Sequence, residues 1–265
     1  MQYVRKPWIY FLTTFAFSWT FWGSIIALGL EMGEMPAPLL FAIAGAAPTI
    51  SALILTYASK EKGQIRDFWN RLVDYRRPGL TWILVALLLP VVLTCLAGLV
   101  DTLMGGRGLE MEGRFSDNLF SLIPFAVFTL FFGPLPEEMG WRGYALDGLQ
   151  KKFGAIGSSF ILGAFWAAWH LPLFFIPGSY QNQLGMELNG IGVFGLNLIL
   201  QTIVITWIYN HASRSTLTAV LFHFSVNYSG EAFLLSMNGD NLLTAGWSLA
   251  AIGCLLAGIR KPGEY

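Results

Sequence analysis

Apolar runs of about twenty residues recur along the whole chain, at roughly 8–30, 36–58, 80–103, 118–136, 155–176, 190–209, 216–234 and 242–259, with short polar segments between them. No other feature constrains the fold as strongly. A run of that length matches the hydrocarbon thickness of a bilayer. Inside hydrocarbon every peptide group must find its partner within the protein, so only helices or closed barrels can cross. The runs are continuously apolar rather than alternating, which selects helices. The expected fold class is an all-α integral membrane protein with eight transmembrane helices, residues 1–265 forming a single polytopic membrane domain.

Charge sharpens this reading. Only 12% of residues are charged, and the mean hydropathy is +0.57, where a soluble domain carries about 25% charged residues. Formal net charge is zero, so nothing in the overall charge points to a nucleic-acid partner. With the N-terminus inside, fourteen of the sixteen Lys and Arg fall on inner segments, Arg260 and Lys261 among them, and only Arg107 and Arg114 on outer ones. Basic residues accumulate on the cytoplasmic side, so both termini are expected there. The run from Trp8 to Leu30 is too long for a signal-peptide core and no small-residue cleavage pattern follows it. The expected location is the plasma (inner) membrane of a prokaryote or the endoplasmic reticulum of a eukaryote, with membrane lipids as surroundings. Cys95 and Cys254 both sit in apolar runs and suggest neither a disulfide framework nor a thiolate metal site. The segment Ser59 to Gly79 has an amphipathic pattern through Ile65, Phe68, Trp69, Leu72 and Val73. It reads as a helix on the cytoplasmic membrane surface, its basic residues setting topology and meeting anionic lipid.

Against this background the ionisable groups inside the runs stand out, because such groups are costly in a membrane and face a partner or a cavity. Glu137, Glu138 and Arg142 follow the fourth run, His170 lies deep in the fifth, and His223 and Asn227 lie in the seventh. Glu138 and Arg142 are i, i+4 and share a helix face, while Glu137 points about 100° away. Trp166 and His170 are also i, i+4, so the indole can pack beside the imidazole and limit its rotamers. His223 and Asn227 repeat the spacing. His170 is about fifteen residues into its span, roughly 22 Å at the helical rise. Glu137 meets it only if the fourth helix continues past the glutamates, bent near Pro134 and Pro136, to about Gln150. A carboxylate, two histidines and an amide on three spans are the components of a hydrolytic site. A proton-relay transporter and a non-catalytic membrane scaffold use similar groups and compete with that reading.

These motifs carry a resemblance. "EEMGWR" (Glu137 to Arg142), "WAAWH" (Trp166 to His170) and "HFSVN" (His223 to Asn227) resemble, in order, the three motifs of the CPBP family, the CAAX-protease and bacteriocin-processing (Abi) proteins. The usual aromatic of the second motif is Phe; here Trp166 holds the position and Phe165 precedes it. The resemblance covers about Phe131 to Gly230, and the motif-bearing core is about 118–234. It implies an intramembrane endopeptidase similar to the Ras-converting enzyme, which removes the last three residues of prenylated CAAX proteins. The partner is then a peptide or protein substrate, lipidated in the CAAX case and bacteriocin-like in other members. A bacteriocin self-immunity protein that keeps the fold without catalysis is the alternative.

On this reading Glu137 is the general base, His170 positions the attacking water, and His223 and Asn227 donate hydrogen bonds to the oxyanion. Glu138, Arg142 and Trp166 support them, with a second role open to Arg142 at a substrate's C-terminal carboxylate. A catalytic zinc is the other possibility, with Glu137, His170 and His223 as its three ligands. The chain contains no HExxH sequence, and metal-free chemistry, with no cofactor, is the favoured expectation.

Overall fold

The computed structural model describes residues 5–259, so Arg260 and Lys261, counted above, lie outside the described residues. Helix α1 (Pro7–Ala27) opens with proline at its first position, where a missing N–H loses no intrahelical bond. Helices α2 (Ala37–Gly45) and α3 (Ala47–Ala58) form one pair bent by 41°. Pro48 accounts for the bend: it offers no N–H to the carbonyl of Ala44 and its ring crowds that carbonyl. The Ser18 hydroxyl of α1 donates to the same carbonyl at 2.8 Å.

The chain continues through α4 (Lys62–Val73), α5 (Gly79–Leu103), the two-residue strand β1 (Glu110–Met111), α6 (Gly113–Asp117), α7 (Leu122–Phe132) and α8 (Pro134–Gly140). A π-helical turn (Trp141–Ala145) leads into α9 (Leu146–Trp169), a 3₁₀ turn (Leu171–Phe175) and α10 (Tyr180–Leu184). Helices α11 (Val193–His211), α12 (Thr216–Ala232) and α13 (Met237–Ala257) complete it, with strand β2 (Phe233–Leu234) between the last two. β1 and β2 pair antiparallel, Glu110 opposite Leu234 and Met111 opposite Phe233. In the bundle α9 packs on α11, α12 and α13 pack on α5, and α8 lies between α3 and α12.

By length and composition, five helical stretches can cross a membrane, or six with the bent α2–α3 pair. The expected eight separate crossings differ for two physical reasons. The broken 57-residue stretch Leu119–Phe175 contains two of the apolar runs, and α12, at 17 residues, falls short of the usual crossing length. Within that stretch the expected bend lies at Gly133, immediately before Pro134. The chain then stays helical past Gln150 and breaks at Gly154, whose φ of +67° is the left-handed conformation that glycine adopts without a Cβ clash. Gly140 is needed for a different reason. A Cβ there would lie 2.2 Å from the Tyr10 hydroxyl and 2.6 Å from the carbonyl oxygen of Pro48, so glycine alone lets α8 seat so closely against α1 and α3.

Helix α4 departs from the membrane-surface expectation. Its Gln64, Phe68 and Arg71 are buried in the protein, and the Phe68 ring lies against Gly143. Arg71 meets no lipid. It donates to Asp147 of α9 at 3.2 Å and to the Tyr209 hydroxyl of α11, and it pairs with Asp67 one turn back at 3.2 Å. Arg214 donates to Asp147, as does Tyr209 at 3.0 Å, while Arg5 and Arg77 pair with Asp67, both at 3.7 Å. Arg5 and Arg71 both donate to the carbonyl of Gly143, and Arg5 also to that of Tyr144 at 3.0 Å. A π turn leaves carbonyls outside the ordinary α-helical ladder, and this arginine clasp satisfies two of them.

Candidate active site

Three helices supply the polar side chains named from the sequence. α8 carries Glu137 and Glu138, and the π turn carries Arg142 one turn on. α9 carries Trp166 and ends at His170, and α12 carries His223 and Asn227. Glu138 and Arg142 pair as their spacing predicts, Nη1 to Oε1 at 2.7 Å. The same carboxylate oxygen also faces His223 Nδ1 at 3.0 Å, so Glu138 ties α12 to α8. Arg142 donates in addition to Thr202 of α11 at 3.2 Å and lies over the Trp166 ring, 4.9 Å from its centroid. Glu138 and Arg142 have no solvent exposure. The Arg142 guanidinium is thus enclosed, with Nη1 on Glu138 and Nη2 on Thr202.

Glu137, His170 and His223 are also buried but retain 8%, 7% and 4% exposure, so they are the members of the group that a small molecule can approach. The Trp166 indole N–H donates to Glu137 Oε2 at 2.6 Å. The Trp166 carbonyl lies 2.8 Å from His170 Nδ1, and its ring meets that of His223 edge-on at 5.0 Å. Glu137, Arg142, His170 and His223 therefore all contact one residue of α9. Phe165 faces the other way and stacks on Phe11 of α1 at 4.2 Å, which fixes Trp166 as the aromatic on the polar side. His170 is further enclosed by the rings of Trp169 and Phe194, at 4.8 and 5.2 Å. Trp169 donates to Ser18 at 2.7 Å, which ties this end of α9 to α1. Asn227, half-buried, lies one turn beyond His223, and a Cβ on Gly133 would sit 3.5 Å from its Nδ2. The break between α7 and α8 thus brings backbone close to that amide.

The two imidazoles are anchored differently. A carbonyl only accepts, so His170 Nδ1 carries the proton and its Nε2 is left with a lone pair in the neutral ring. His223 Nδ1 faces a carboxylate and likewise carries a proton. Both rings are thus held at Nδ1, one on a carbonyl and one on a carboxylate, with Nε2 left for other partners. Among the described residues no group of three or more His, Cys, Asp or Glu is arranged to hold a metal ion. Thr202 and the Trp166 N–H escaped sequence reading. The first is one hydroxyl among many in apolar helices, and the second requires knowing which oxygen of Glu137 it meets.

Buried acid and imidazole groups gathered among apolar helices are side chains that a membrane-embedded hydrolase can use, and comparison with known proteins narrows the class. The family described as Type II CAAX prenyl endopeptidase Rce1-like matches residues 119–229. CAAX prenyl protease 2 of Methanococcus maripaludis is 31% identical over 259 residues, covering 96% of this chain and 95% of that protein. The chain belongs to the Rce1-like CAAX prenyl endopeptidase family and is an integral membrane protease. The similarity to the archaeal protein reaches well beyond the three motifs, into α1–α5 and α13.

Proposed function

We propose that this chain is an intramembrane endopeptidase of eight membrane crossings with both termini cytoplasmic, cleaving near the C-terminus of a prenylated CAAX-type substrate. Water is held between the Glu137 oxygen that Trp166 does not hold and the lone pair on His170 Nε2. Glu137 takes a proton from the water as its oxygen attacks the scissile carbonyl carbon. The oxyanion that forms accepts from His223 Nε2–H and the Asn227 amide. On collapse the C–N bond breaks and Glu137 returns the proton to the leaving amine. The transferred proton comes from the attacking water, is carried by Glu137 and ends on the leaving amine, and the scheme invokes no metal.

The single observation that carries the reading is the anchoring of the two imidazoles, Nδ1 of His170 on a carbonyl and Nδ1 of His223 on Glu138. It leaves Nε2 of both rings for the reaction, and on this reading that of His170 meets the water and that of His223 meets the developing negative charge. The test is cleavage of a farnesylated CAAX peptide by protein in proteoliposomes, read as release of the C-terminal tripeptide, with Glu137→Ala alongside. Wild type should release the tripeptide and the variant should not. Equal release by both would end the general-base assignment, and release from an unprenylated peptide at the same rate would remove the lipid from the substrate definition.

A further inference from the structure

Trp166 sits at the centre of the polar group, and its contacts are of two kinds. Its ring packs on the Arg142 guanidinium and the His223 edge, contacts that any flat aromatic of that size provides. Its indole N–H provides something else, a 2.6 Å hydrogen bond to Glu137 Oε2. That bond joins α9 to α8 across 29 positions of sequence. The side chain is 1% exposed, so water does not replace the donor if it is lost.

A carboxylate has two equivalent oxygens and rotates freely about its last torsion. Once one oxygen is held by a fixed, buried N–H, the other is directed to one place. The Trp141 indole also lies near this carboxylate and Glu137 keeps 8% exposure, so the oxygen that Trp166 does not hold is the one assigned to water. The same backbone segment fixes the other side of the proposed water site, because the Trp166 carbonyl orients the His170 ring. We propose that Trp166 is a positioning residue for the hydrolysis: through its N–H it selects which Glu137 oxygen acts, and through its carbonyl it sets the His170 ring facing that oxygen. This rests on Glu137 being the base.

The test must separate the N–H from the ring. Replacing the Trp166 indole by benzothiophene, introduced as 3-benzothienylalanine, keeps ring size and stacking and exchanges the N–H for sulfur. A hydrogen bond to an ionised group is lost, and kcat should fall about 10- to 100-fold, with KM and the unfolding temperature unchanged. Wild-type kcat in the benzothiophene protein would overturn the proposal, because packing alone would then suffice. A second measurement does not depend on turnover. In protein labelled with ¹⁵N at the indole nitrogens, the Trp166 resonance, assigned by its loss in Trp166→Phe, should lie downfield of the other tryptophans and move upfield in Glu137→Gln. A resonance that ignores Glu137→Gln overturns the contact even if the benzothiophene protein fails to fold. A shifted resonance in a protein that cleaves no CAAX peptide would leave the positioning contact standing and count against the proposed function instead.

Discussion

Two buried polar clusters lie a single helical turn apart and are built on opposite principles. The arginine clasp gathers Arg5, Arg71, Arg77 and Arg214 around Asp67 and Asp147, adds the Tyr209 hydroxyl, and delivers the surplus guanidinium donors to carbonyls of the π turn. The group around Glu137 has two carboxylates for one arginine, and each cluster holds buried atoms with no hydrogen-bond partner among the described residues: Arg5 Nη2 and Asp67 Oδ2 in the clasp, Glu138 Oε2 and Arg142 Nε here. A cluster that only holds helices together gains from every donor and acceptor it satisfies. The clear contrast is in charge: arginines outnumber carboxylates in the clasp, and carboxylates outnumber the single arginine around Glu137.

Substitutions should break the two clusters in different observables. The largest effect is expected from Glu137→Ala, a fall of about 10²- to 10⁴-fold in turnover with an unfolding temperature close to wild type, read from peptide cleavage and a thermal melt of the same preparation. Asp147→Ala should do the reverse. It removes one of the two carboxylates that Arg5, Arg71 and Arg214 share, leaving buried positive charge in excess, and should cost about 3–5 kcal/mol of stability, seen as loss of folded protein in detergent before any change in kcat per folded molecule. If Asp147→Ala instead left the melt unchanged and abolished turnover, the clasp would belong to the site. Glu138→Ala is the intermediate case. It unpairs Arg142 and removes the His223 anchor, so stability and kcat should fall together.

How much of this was legible in the sequence depends on what decides each feature. Hydropathy locates helices well because lipid leaves the backbone no alternative, and helices occur at all eight apolar runs. Length and composition alone qualify five or six stretches as crossings, because the 57-residue stretch Leu119–Phe175 holds two of the runs and α12 has only 17 residues. The stripes on α8, α9 and α12 were visible as misplaced polarity. Spacing of three and four residues also predicted the Glu138–Arg142 pair, found at 2.7 Å. The α4 pattern misled for a physical reason: an apolar stripe at helical period fits a lipid surface and a protein surface equally well. What told them apart was Asp147, some seventy positions away in sequence. Contacts between helices, such as Trp166 to Glu137 or Arg142 to Thr202, have no local signature at all.

Two smaller effects sharpen the contrast. Asn227→Ala should lower kcat about 10²- to 10³-fold yet leave measurable cleavage, because the proposed His223 donor remains; complete loss would show that Asn227 does more than share an oxyanion. Zinc should have the least effect. Purified protein is expected to carry no stoichiometric zinc by elemental analysis, and stripping with chelator should leave kcat unchanged. One zinc per chain, with activity lost on stripping and restored by zinc alone, would reverse the metal-free mechanism.

The clasp has a consequence for how the enzyme is made. It joins Arg5, near the start of the chain, to Asp67 and Arg71, then to Asp147, and finally to Tyr209 and Arg214. During synthesis the early arginines are laid down first and wait for partners encoded far downstream. Until the ribosome has passed Arg214, the π turn beside Arg142 lacks the finished brace that holds its carbonyls, although Glu137, Glu138 and His170 have already been inserted. His223 and Asn227 follow within one short helix. The last clasp residues and the proposed oxyanion donors are thus encoded side by side, after the other residues of the site.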